Sequence, residues 1–176
     1  MEFQPNNNYL SLFKKNKLDI NIKTLLIGLH GPGKMGACIS ARDVTEWAMD
    51  QYLGGKAAME KLAFSDPKNL SDIYQELAHL SENDENLNED EKKWVLVLLK
   101  NLLENLPNNP TEGLCDLQGF WAELDYPPYR PAIIQGVDIK LNPNDYYTTS
   151  TYELAIKNHH TWAEKMHNKL MIRDTM

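Results

Sequence analysis

Cysteine is nearly absent from this chain: 176 residues include two, Cys38 and Cys115. Two thiols so far apart in sequence cannot build a zinc framework, and free thiols in a reducing compartment are the expected state. Long apolar runs are also missing. The strongest, residues 25–29 and 95–99, fall far short of the ~20 residues a membrane-spanning helix needs. The opening MEFQPNNNYLSLFKKNK has neither an apolar core region nor a small-residue cleavage site. No signal peptide is therefore expected, and the protein is placed in the cytoplasm. No Gly-x-Ser-x-Gly elbow occurs, and neither cysteine sits in a recognisable nucleophile context. With a pI of about 5.2 and no basic aromatic patch, nucleic acid is not an expected partner. Lys14, Lys15 and Lys17 are a local exception, read as a solvated helix end.

Basic residues are scarcest in one block. Between residues 60 and 125, five Lys/Arg stand against fifteen Asp/Glu, a net charge of −10. Residues 1–59 carry +2 and residues 126–176 carry +1, so the whole −7 arises in the centre. The block is not low-complexity. It bears amphipathic, aromatic-containing segments, and a folded acidic surface favours a basic partner while repelling nucleic acid and anionic membrane.

What is present is material for a core: 42% apolar residues, with four Trp, eight Tyr and four Phe. Helical spacing dominates. Ser40 and Asp43 form a capping box before Val44, Trp47, Ala48 and Tyr52, with Asp43, Glu46 and Asp50 placed on the opposite, solvated side. Gly54-Gly55 stops that helix. Short stripes at 58–63 and 70–80 follow, and residues 81–88 form a polar connector. Asn88, with Glu91 three residues on, opens a helix whose stretch Trp94 to Leu106 is apolar almost all round and hence central. Leu114, Leu117, Trp121 and Leu124 mark another helix, and three prolines between Asp125 and Pro131 forbid its continuation. Residues 142–145 read as a turn. Ala155, His159, Trp162, Met166 and Leu170 line the apolar face of a long last helix. The expected fold is all-α: one irregular domain over 1–176 with six or seven helices, and a short strand or extended segment near 132–139.

Candidate chemistry is thin. Gly28-Leu-His-Gly-Pro-Gly-Lys34 matches the phosphate-loop pattern and follows the apolar stretch at 24–27. A phosphate loop, however, needs Ser or Thr after the lysine to hold magnesium, and Met35 stands there. The next helix start lies downstream at Ser40, and no acid-ended strand is in view. A glycine-rich loop between two helices is the plainer reading. The rival function is a small nucleotide- or phosphate-binding enzyme using this loop. His159 falls on an apolar stripe and reads as a core imidazole. His160 and His167 are too widely spaced for a helical metal pair. No catalytic group, cofactor or metal site is expected.

One likeness adds to this. Glu91-Lys-Lys-Trp94, the following LVLLKNLLEN, and Leu117-Gln-Gly-Phe-Trp-Ala-Glu-Leu-Asp-Tyr-Pro-Pro128 resemble a family of helical immunity proteins of bacterial polymorphic-toxin and contact-dependent growth-inhibition systems. Residues 39–48, Ile-Ser-Ala-Arg-Asp-Val-Thr-Glu-Trp-Ala, resemble its second-helix pattern, whereas the Gly31–Gly36 loop departs from it. The resemblance implies a cytoplasmic antidote without activity of its own, monomeric and bound one-to-one to a cognate toxin domain. The charge argument leads separately to a basic partner, such as a nuclease whose channel must hold phosphates. The expected partner-facing acids are Glu82, Asp84, Glu85, Glu89, Asp90 and Glu91, then Asp116, Glu123 and Asp125. Tyr126 and Tyr129 are the expected aromatic contacts, while Trp94 and Trp121 belong to the core. A scaffold or adaptor working through the same surface would look alike in sequence.

Overall fold

The structure, a computed structural model, describes residues 9–81, 87–131 and 134–173. It is all-α and falls into two compact units, one ending at Trp94 and the other beginning at Val95.

The first unit contains α1 (Tyr9–Lys15), α2 (Ile22–His30), α3 (Ala41–Leu53), a 3-10 turn (Ala57–Met59), α4 (Glu60–Ala63), α5 (Leu70–Ser81) and the start of α6 (Leu87–Glu104). In α1, Tyr9, Leu10 and Phe13 are buried on one side, and Lys14 and Lys15 occupy the last turn, where cations suit the negative helix end. Both α2 and α3 begin with reciprocal capping. Asn21 Oδ1 accepts from the Thr24 amide at 2.8 Å. Ser40 Oγ accepts from the Asp43 amide at 3.2 Å, while Asp43 Oδ2 accepts from the Ser40 amide at 2.7 Å. The Ser40–Asp43 box is thus present as expected. Helix α2 packs on α5, and α3 on α4. Lys61 of α4 pairs with Glu76 of α5 at 2.5 Å, which compensates a carboxylate buried to 6% exposure.

The centre of this unit is Trp94, fully buried. Its indole lies against α2 at Gly28, where any Cβ would collide with the ring. Trp94 Nε1 donates to the Thr24 carbonyl at 2.7 Å, and Phe13 meets the indole edge-on at 4.8 Å. Tryptophan here satisfies its one donor while losing all its surface to the core.

The second unit continues α6 and adds α7 (Pro110–Glu123), α8 (Pro143–Tyr146) and α9 (Thr149–Arg173). Residues 95–99 and Leu102 of α6 are all buried, as the all-round apolar pattern requires. Asn109 caps α7 and Pro110 takes its first position, where the missing amide costs nothing. Helix α7 packs on α9. There Gly113 faces Tyr152 so closely that a Cβ would strike its ring, and Tyr152 Oη donates to the Pro107 carbonyl at 2.6 Å. Trp121 Nε1 donates to His159 Nε2 at 2.8 Å, so the imidazole proton sits on Nδ1, 2.6 Å from the Ala155 carbonyl. Burial lowers the His159 pKa, and the nearby His160 adds to the effect.

Several local expectations are resolved or corrected. Of the alternatives near 132–139, the described residues form a loop and no strand. Asp138 accepts from the Ile134 amide at 2.7 Å and from Arg130, closing a tight loop with one isolated bridge between Gln135 and Ile139. Residues 143–146 make one helical turn, because Asn142 caps it and Pro143 starts it. Trp47 does not oppose the acids of α3. It lines a shallow depression together with Asp43, Glu46 and Asp50, since positions i, i+3, i+4 and i+7 share a helix face. The nine α-helices among the described residues exceed the expected number because single turns such as α4 and α8 are too short to show a period.

Two outcomes follow from these cores. Gly28→Ala should destabilise the fold by about 1–3 kcal/mol despite alanine's helix preference, because the ring is rigidly held. In a Trp94→Leu background the penalty should shrink, as a urea-unfolding mutant cycle would show. For His159, the neutral form is the one the fold stabilises. Its contribution is complete above the ordinary pKa of about 6.5 and is lost as pH falls from there toward the lowered folded value. Between about pH 7.5 and about pH 5, wild type should therefore lose more unfolding free energy than His159→Gln, which still offers Trp121 an acceptor.

Candidate functional site

The glycine loop is built differently from a phosphate cradle. Gly28 is the seventh residue of α2, and the loop from Gly31 leaves the helix's C-terminal end, which carries partial negative charge. Four of its backbone donors are already used. The Gly31 amide bonds the Ile27 carbonyl at 2.7 Å, the Met35 amide bonds Pro32 at 3.1 Å, and the Cys38 and Ile39 amides both bond Gly28. Lys34 is exposed. The segment is a connection between α2 and α3 that is consolidated by its own hydrogen bonds.

The acids separate sharply by location. Glu82, Asp84 and Glu85 lie outside the described residues. Glu89 and Glu91 are half-buried on the first turns of α6. Asp90 corrects its expected role as a surface acid, being only 1% exposed. Its carboxylate accepts from Asn21 Nδ2 at 3.0 Å and from Thr24 Oγ1 at 3.1 Å, and it faces Lys93 Nζ at 3.4 Å. Thr24 Oγ1 also lies 3.0 Å from Asn21 Oδ1. With one hydroxyl proton to give, the charged oxygen is the stronger acceptor. Asp90 therefore joins the start of α6 to the positive N-terminus of α2, and its charge is consumed internally.

The acids of α7 behave in the opposite way. Glu112, Glu123 and the following Asp125 are exposed, and Asp116 is half-buried. Glu112, Asp116 and Glu123 share one face with the exposed Cys115 and Gly119, and α7 contains no Lys or Arg. Glu112 suits the positive end of the helix. Glu123 does not: it is the last helical residue, where the helix field disfavours an anion. Asp125 follows in the left-handed region at φ 59°, and Tyr126 repeats that conformation at φ 50°. Burial raises the Tyr152 pKa, and the Asp116 charge raises it further.

The two expected aromatic contacts are half-buried and engaged within the second unit. Arg130 lies 5.8 Å from the centre of the Tyr126 ring. Tyr129 stacks on Trp162 at 6.3 Å and accepts its indole N–H at 2.7 Å through the backbone carbonyl. Among the described residues, no group of three or more His, Cys, Asp or Glu is placed to hold a metal ion. Both cysteines are free, Cys38 buried with its thiol pushed up to about 12 by desolvation, Cys115 exposed. No helix among the described residues is long and apolar enough to cross a membrane.

These placements predict a division among substitutions. Asp90→Ala should cost roughly 3–5 kcal/mol in urea unfolding, because it strands the buried Lys93 ammonium without its counter-charge. Asp116→Asn and Glu123→Gln should each stay within about 0.5 kcal/mol of wild type.

No curated protein and no solved structure matches this chain. A family model does, over residues 10–167, and it is described as "Uncharacterized protein conserved in bacteria (DUF2247)". The matched stretch reaches from α1 into α9 and includes the Asp90 clamp, both ring-on-glycine contacts and the acidic face of α7. The chain belongs to the bacterial DUF2247 family.

Proposed function

We propose that this protein is a cytoplasmic antidote, which neutralises the basic nuclease domain of a toxin by covering it with an acidic helical surface in a one-to-one complex. The observation that carries this reading is the face of α7. Glu112, Asp116 and Glu123 form an acid-only stripe. Acids serving stability alone would gather at helix N-termini or pair with cations. Glu123 sits instead at the wrong end of its helix, with no basic residue in the last turn. An electrostatically costly arrangement that persists on an exposed face is what a partner-binding role accounts for.

The chemistry of the partner follows from the charge. A nuclease channel is basic because it must hold phosphates, and an acid stripe on a rigid helix can occupy the same field. Complementary fields accelerate encounter by roughly ten- to a thousandfold at low salt, and an antidote gains from speed. In this reading the protein acts by occlusion and performs no reaction. The likeness of the α6 and α7 segments to immunity proteins supports the same class.

The test is the triple variant Glu112→Lys/Asp116→Lys/Glu123→Lys, measured against any nuclease toxin domain found encoded beside the gene. Its association should slow about tenfold or more at low salt and lose most of its salt dependence. Its thermal midpoint should stay near that of the wild type, since the cation favoured at position 123 offsets the one disfavoured at position 112. Co-expression of the wild type should rescue growth from the cognate toxin and from no unrelated one. An unchanged association rate would remove α7 from the interface, and failure to rescue would remove the function.

A further inference from the structure

The first unit holds an open pocket of about 470 Å³ beside the glycine loop. That volume lies in the range of roughly 300–1,000 Å³ typical of small-molecule sites, and exceeds what a single inserted side chain needs. Its wall is formed by Leu26, Ile27, Pro32 and Tyr74, and its polar groups are His30 and Glu91.

The pocket is held in shape by hydrogen bonds already made. Tyr74 Oη donates to the Leu29 carbonyl at 3.1 Å, tying α5 to the last turn of α2. The Gly31 amide closes that turn onto Ile27, and Gly31 itself adopts φ 98° with no room for a Cβ against the backbone of Met35 and Gly36. A floor built this way does not have to be ordered when a ligand arrives.

Its electrostatics favour one sign. Glu91 is half-buried, and its carboxylate makes no hydrogen bond or ion pair with any described residue. The C-terminal end of α2 adds partial negative charge from the same side as His30. No Lys or Arg is among the described lining residues. A phosphate or carboxylate would meet a carboxylate and a negative helix end, whereas an aromatic wall such as Tyr74 attracts organic cations. We infer that this pocket binds a small organic cation, an apolar or aromatic body seated on Leu26, Ile27 and Pro32 with its amine or amidinium head at Glu91. This is a ligand site separate from the acidic face of α7 and independent of the antidote reading.

The experiment is a calorimetric and amide-NMR titration of the full chain alone, with 2-phenylethylamine and benzamidine as probes. Saturable binding is expected, with shifts centred on residues 26–33, Tyr74 and Glu91. Glu91→Gln should weaken it about tenfold or more, as loss of a charge-assisted hydrogen bond does. Leu26→Trp, at a half-exposed position, should fill the pocket and abolish binding while the thermal midpoint is kept. The uncharged 2-phenylethanol should bind far more weakly, and phenylacetate and inorganic phosphate not at all. Equal binding of the alcohol and the amine, or an unaffected Glu91→Gln variant, would overturn the inference. So would phosphate or ATP binding that Lys34→Ala removes, or no amine binding up to millimolar concentration. None of these outcomes depends on the toxin, so the antidote reading stands or falls separately.

Discussion

The first unit depends on one contact, the Trp94 indole laid on α2 at Gly28. The absent side chain at position 28 lets the ring approach the helix backbone, and the indole N–H then reaches the Thr24 carbonyl. The Asp90 clamp, one turn earlier on α6, fixes the other end of the same approach at Asn21 and Thr24. The pair holds α2 against the first turns of α6 at two points. The second unit uses the same device. Tyr152 of α9 rests on Gly113 of α7, and its hydroxyl reaches the carbonyl of Pro107. In both cases an aromatic ring fills the space a glycine leaves, and its polar atom finds a backbone acceptor, so neither ring strands its own donor.

That constraint explains why the glycine loop is, as its sequence suggested, a helix connection and not a phosphate cradle. The spacing from Gly28 to Lys34 satisfies a phosphate-loop pattern, yet Gly28 is present for packing and Lys34 is exposed. Met35, buried where a phosphate loop needs a hydroxyl, already pointed away from the motif. The partner glycine contact, Trp94, lies too far along the chain for any local pattern to show it.

Features that depend on neighbours in sequence were legible. The Ser40–Asp43 box, the all-round apolar stretch of α6, the core placement of His159 and the all-α class follow from caps and 3.6-residue periodicity. Features set by long-range pairing were not. Asp90 and Glu91 look alike in sequence, but α2 supplies Asn21 and Thr24 to one, while the other opens onto the pocket with Tyr74. Net charge placed the acid excess correctly and could not sort it into internal counter-charge and free surface. The sorting came from which helix faces turned inward: among the described acids, Asp90 goes into the interior while Glu112 and Glu123 of α7 are exposed.

The two cysteines differ in a way that makes α7 experimentally convenient. The Cys38 thiol is buried and pushed up to about 12, so at neutral pH almost none of it is the reactive thiolate. Cys115 is exposed, one residue before Asp116 and on the acid stripe itself. A thiol-directed fluorophore or spin label would attach there without engineering. The native chain thus carries a single reporter position in the middle of the face that matters most to its proposed role.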